Sequence, residues 1–225
     1  HKIHLLCDSK YFIMTNNNYL QDISDIKNMM SKSSRFMSLS GLSGILAGIY
    51  ALAAAAYAHF RIAALPDYSG DSVVLNAVGN FMAAYDLVGD LFFVATLTLF
   101  LAIVTGALLT YRKAKKLNEK IWNPVSKRLL AHFGIPLFAG GLFCLVLLQY
   151  GIVGLVAPAT LIFYGLALLN ASKFTIGDIK YLGIANMFIG LIASQFVGYG
   201  LYFWALGFGI FHIIYGVILY NKYDR

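Results

Sequence analysis

The stretch "SLSGLSGILAGIYALAAAAYAHF", Ser38–Phe60, contains no Lys, Arg, Asp or Glu. Twenty-odd uncharged residues are enough to cross the hydrocarbon core of a bilayer as a helix. Within the run, Gly41, Gly44, Gly48, Ala51 and Ala55 follow one another at spacings of three, four, three and four. That spacing keeps tiny residues on one helix face, so something presses closely against it. The occupant is a neighbouring helix, a second copy of the chain or a ligand.

Outward from this segment the same character continues. Only 12% of the 225 residues are charged and 60% are hydrophobic, about half the charge a water-soluble domain of this size carries. The mean hydropathy is +0.72. Six stretches are long and apolar enough to span: Leu39–Phe60, Gly89–Tyr111, Leu129–Tyr150, Ile152–Ala171, Tyr181–Val197 and Leu201–Tyr220. The fifth is short. Only helices or closed barrels satisfy the backbone in lipid, and continuous apolar runs rather than ten-residue alternation exclude the barrel. The expected fold is therefore all-α, a polytopic bundle of six transmembrane helices occupying 38–225.

Two segments precede this domain. Residues 1–17 are expected to be disordered or upstream sequence, being too mixed for a signal peptide. Residues 18–37 place Leu20, Ile23, Ile26 and Met30 on one side of a helix, with Asp22, Asp25 and Lys32 off it. This pattern predicts an amphipathic helix lying in the membrane interface.

The net charge of +7 acquires meaning only once it is located. Arg112–Arg128 carries seven Lys/Arg and one acid, and counting alternate connections puts fourteen basic residues on one side against Arg61 on the other. Basic loops stay cytoplasmic, so both termini are expected inside a bacterial cytoplasmic (inner) membrane. The charge is thus topological, and nucleic acid is not an expected partner. Membrane lipids are, together with either a homo-oligomer or a membrane-protein partner.

"GLFCLVLLQYG" (141–151) and "GLIASQFVGYG" (190–200) lie 49 residues apart, and "YGLALLN" (164–170) is matched by "YGVILYN" (215–221). These echoes fall at equivalent places and point to three related helical hairpins. "SRFMSLSGLSGILAGIYAL", "LVAPATLIFYGLALLNASKF" and "GYGLYFWALGFGIFHIIYG" resemble a family of small bacterial six-helix integral membrane proteins. The resemblance implies the six-helix fold and brings no activity with it.

Candidate sites must then come from the residues themselves. His212 is the ionisable residue deep within a span, where such groups are costly and by default functional. It also lies on a small-residue stripe with Ala205, Gly209 and Gly216, where a neutral imidazole can bond to a neighbouring helix. Asn186 on the fifth span is its expected partner, and Tyr164 on the fourth completes the polar-pocket candidates inside the membrane. Asp86 and Asp90, one turn apart at the outer end of the second span, form either a cation-attracting mouth or a solvated helix entry. Lys113, Lys116, Lys120 and Trp122 are candidates for lipid headgroups. Gly41, Gly44, Gly48, Gly190, Gly209 and Gly216 are read as helix-packing residues. Pro136 and Pro158 are candidate kinks.

Catalytic signatures are absent from the sequence: it has no His-Glu-x-x-His, nucleophile elbow, phosphate loop or acidic metal cluster. Cys7 and Cys144 have no metal-ligand spacing. No metal or cofactor is expected. The leading functional expectation is a non-enzymatic membrane scaffold, sensor or accessory subunit; the alternative is a small transporter or a lipid- or small-molecule-binding protein.

Overall fold

A computed structural model describes residues 40–64, 81–117 and 121–224. The 1–17 and 18–37 segments lie outside the described residues. What is described is helical, with no strand among the described residues. The elements are α1 (Gly41–Ala63), α2 (Phe81–Lys116), α3 (Pro124–Gln149), α4 (Val156–Ala171, entered through a 3-10 turn at Val153–Leu155), α5 (Ile179–Ala193) and a final rod. That rod consists of α6 (Gly200–Trp204), a π-helix (Ala205–Ile210), α7 (Phe211–Leu219) and a second π-helix (Tyr220–Asp224).

Five helices are long and apolar enough to cross a membrane, by length and composition: α1, α2 from Asp86, α3, Val153–Ala171 and Gly200–Tyr223. The fifth in chain order, α5, has 15 residues, roughly 22 Å against a hydrocarbon thickness of about 30 Å. It is apolar but short.

Local chemistry sets several of the boundaries. Pro124 occupies the first turn of α3, where its missing N–H costs nothing. The Asn123 side chain accepts from Ser126 N at 2.7 Å while Ser126 Oγ accepts from Asn123 N at 3.0 Å, a reciprocal cap. At the other end of α3, Ile152 N donates to Leu147 O and Gly151 N to Leu148 O, with Gly151 at φ 72°. This left-handed stop suits glycine. Pro136 lies inside α3. Pro158 is the third residue of α4.

Packing follows the first two hairpins, α1 with α2 and α3 with α4, but not the third. The first helix lies along the last: α1 meets α7 and the π-helix before it, while α5 lies along α4. These two close pairs meet through α6 and the π-helix, which touch α4 and α5. α2 flanks α1 on one side and α3 flanks α4 on the other. In the two matched eleven-residue stretches the turn glycines also differ in place. Gly151 is the last residue of the first stretch, whereas Gly198, at φ 103°, stands two residues before the end of the second.

Glycine makes both close pairs possible. A Cβ on Gly48 would stand 2.7 Å from Gly209 O, and one on Gly216 would stand 2.6 Å from Ile45 N and 2.8 Å from Gly41 O. One on Gly44 would lie 3.3 Å from Gly216 Cα. Gly165, Gly183 and Gly190 do the same between α4 and α5; a Cβ on Gly190 would be 2.9 Å from both Ile162 N and Pro158 O. The small face of α1 (Gly41, Gly48, Ala51, Ala55 and Ala58 are buried) thus presses on the last rod of the same chain. Without a hydrophobic drive between helices in lipid, such backbone approach is what holds a bundle. Gly89, Gly106, Gly134 and Gly141, on the flanking helices, have open space where a Cβ would be.

Candidate functional site

The polar residues inside the bundle converge where the last rod crosses α4 and α5. His212 is 6% exposed and Asn186 is fully buried. His212 Nδ1 lies 2.9 Å from Gly207 O. A carbonyl only accepts, so Nδ1 carries the proton and donates. His212 Nε2 lies 2.8 Å from the Tyr164 hydroxyl. In the neutral ring Nε2 is the acceptor, and the phenol donates to it. The partners of this imidazole are a carbonyl and a phenol; a cation at such burial calls for a carboxylate.

This geometry corrects the expected pairing. Asn186 does not bond to His212. Its Nδ2 donates to Leu182 O at 3.0 Å, one turn back on its own helix, and its Oδ1 has no donor. The reason lies in the packing, since α5 runs along α4 rather than along the rod that carries His212. The partner is Tyr164 on α4, whose ring also lies against Phe208 and Phe133, at centroid distances of 4.9 and 6.1 Å. Trp204 extends the cluster, 5.1 Å from Phe208.

Gly207, which the three-four count passes over, is central. It accepts from His212, and a Cβ there would stand 2.6 Å from Asn186 Oδ1. The π-helix explains the omission. Its bonds close over five residues rather than four, so burial falls on Gly207 and Gly209 while Ala205 is only partly buried. The signal in the sequence was the pair of glycines in "ALGFGI", read with the wrong period.

Where α1 ends and α2 begins, Asp90 accepts from the Arg61 guanidinium across the two helices, and Asp86 is exposed. The Asp86–Asp90 pair is therefore not a bare acidic mouth, because one of its carboxylates is neutralised by the basic residue at the end of α1. Nearby, Phe196, Tyr199, Tyr202, Phe203 and Leu206 line an open groove of about 460 Å³.

At the opposite end of the bundle, Lys222 Nζ donates to Asp178 Oδ2 at 2.6 Å and the Tyr223 hydroxyl to the same oxygen at 3.1 Å. Together they hold the Asp178 carboxyl below the usual carboxylate range, the Lys222 hydrogen bond contributing most. This clasp ties the chain's last turn to the α4–α5 connection. Trp122 is exposed, with Lys127 Nζ 5.8 Å above its ring. Lys113 and Lys116 lie in the last turn of α2, and Lys120 lies outside the described residues.

His132 stacks on Phe174, and His59 packs edge-on to Phe60. Cys144 is buried with Leu147 and Ala159 between α3 and α4. Among the described residues no three His, Cys, Asp or Glu side chains come together to hold a metal. No protein-family model, curated protein or solved structure matches this chain.

Proposed function

We propose that the chain is a six-span protein of a bacterial cytoplasmic membrane, with both termini inside. It works there as a non-enzymatic scaffold, sensor or accessory subunit. The observation that carries this reading is the placement of α2. It is 36 residues long, it packs on α1, and none of its apolar window is buried. Phe92, Phe93, Phe100 and Ile103 point outward from it. A long apolar helix held at the edge of a glycine-locked bundle is a lateral docking rail for a second copy or another membrane protein.

Photo-crosslinking amino acids at Phe93 and Phe100, with Leu142 on α3 as a control, test this in intact cells. The reading expects a discrete protein adduct from α2. Lipid adducts alone from Phe93 and Phe100 would overturn it.

A second reading, a transporter or a binder of lipid or small molecules, has one specific observation in its favour. Asn186 Oδ1 is a buried acceptor without a donor, and buried polar groups ordinarily have partners. Native mass spectrometry of the protein released from lipid nanodiscs separates the two readings. A small molecule that stays with the wild type and leaves with Asn186→Leu favours the binder.

A further inference from the structure

The last rod is held in two different ways along its length. Its inner half is locked backbone to backbone, since α7 and α1 meet through Gly216, Gly41 and Gly44, and Gly209 O lies against Gly48. Such a seam does not rotate without prying the helices apart. The outer piece, α6, is seated more loosely. A Cβ on Gly200 would stand 3.2 Å from Ala157 Cβ and 3.7 Å from both Gly154 O and Pro158 Cδ, against 2.6 Å from Gly216 O for one on Gly41. The π-helix Ala205–Ile210 joins the two: its Gly209 belongs to the seam with α1, and its first residues lead into α6.

A π-turn holds one residue more than an α-turn. Taking up that surplus as α-helix turns whatever lies beyond it by about 100°. The locked half cannot move, so α6 turns. In the π register Trp204 and Gly207 are spread too widely to share a face. In an α register they stand at i and i+3, side by side.

Asn186 supplies the reason for a second register. Its Nδ2 must face Leu182 O, because two acceptors repel, so the amide cannot be flipped and Oδ1 points at Gly207. In the present register that oxygen, on a fully buried residue, has no donor. Trp204 carries an indole N–H three residues before Gly207.

We infer that the π-helix Ala205–Ile210 is a register switch: turning α6 into α register brings the Trp204 indole N–H onto Asn186 Oδ1 and re-aims the outer groove. Phe203 and Leu206 move with the switch, while Phe196 and Tyr199 stay with the turn, so the two registers present differently shaped grooves. The inference stands apart from the scaffold reading, because it concerns the rod's own conformations and not what α2 docks.

The test places spin labels at Tyr202 on α6 and Leu142 on α3, with Cys7→Ser and Cys144→Ala, in lipid nanodiscs. Pulsed electron resonance then reads the distance distribution. The wild type should show a second distance as a minor population, on the order of 1–10%. Gly207→Ala, whose methyl crowds Asn186 Oδ1, should raise it about fivefold. Asn186→Leu and Trp204→Phe should each abolish it. One distance, the same in the wild type and all three variants, would overturn the switch. If Gly207→Ala fails to fold, a minor population that survives both Asn186→Leu and Trp204→Phe overturns it equally.

Discussion

Tyr164 on α4 and His212 on α7 are joined by a 2.8 Å hydrogen bond across the bundle, 48 residues apart in sequence. The second ring nitrogen is held by Gly207 O, so the imidazole is fixed at both ends by groups of the same chain. Tyr164→Phe leaves Nε2 buried and unpaired. Interhelical bonds in membranes average near 0.6 kcal/mol, while an orphaned buried group costs about 1–3 kcal/mol. The expected loss is therefore about 1–2 kcal/mol, read as a lower melting temperature in mild detergent. His212→Gln should recover part of what His212→Ala loses, and a Tyr164→Phe/His212→Gln cycle measures the coupling.

Gly48→Leu should destabilise the protein by about 1–3 kcal/mol by overfilling, because its Cβ position is closed by Gly209 O and Ile213. Gly106→Leu is the matched control on α2, where a Cβ meets nothing within 4 Å. Equal melting temperatures for the two variants would mean that the α1 seam is looser than described.

The Asp178 clasp predicts a pH dependence with a definite sign. Its carboxyl is held below the usual range by Lys222 and Tyr223. Its contribution to stability is thus present above the unfolded carboxylate value, near 4, and is lost as pH falls through the lower folded value. Melting temperatures of wild type and Asp178→Asn should differ by a constant, small amount from pH 5 to 7, as an order-of-magnitude guide to the window, and converge in more acid solution. A gap that widens on acidification would contradict the clasp.

Topology is tested by single cysteines at Gln195, in the α5–α6 turn, and at Lys116, at the end of α2. With Cys7 and Cys144 replaced, an impermeant thiol reagent on intact cells should modify position 195 and spare 116. The reverse pattern would invert the orientation.

Much of this architecture was legible in the sequence because it depends on composition and period. Apolar runs gave the long helices, and the spacing of Gly41, Gly44 and Gly48 gave a face that packs closely. The count of threes and fours also turned His212 inward. It failed at Ala205, because a π-helix has another period and nothing in "ALGFGI" announces it. Partner choice was illegible for a different reason. Asn186 was assigned to His212 on the assumption that α5 pairs with the rod that follows it, yet α5 lies on the helix before it and the last rod lies on α1. The Arg61–Asp90 and Lys222–Asp178 pairs join residues 29 and 44 apart, which only the fold brings together.

The meeting of Gly41 with Gly216 sets a condition on biosynthesis. The glycine face of α1 enters the membrane about 175 residues before the strand of chain that must cover it has been made, a wait on the order of ten to thirty seconds at ordinary elongation rates. During that interval the nascent chain carries an uncovered seam, shaped to receive a close-packing helix from whatever lies beside the translocon. Arrival of the last rod, rather than insertion of the first hairpin, is the event that closes the bundle. A ribosome that stalls after α5 releases a chain with its adhesive edge open, the kind of product that membrane quality control must recognise.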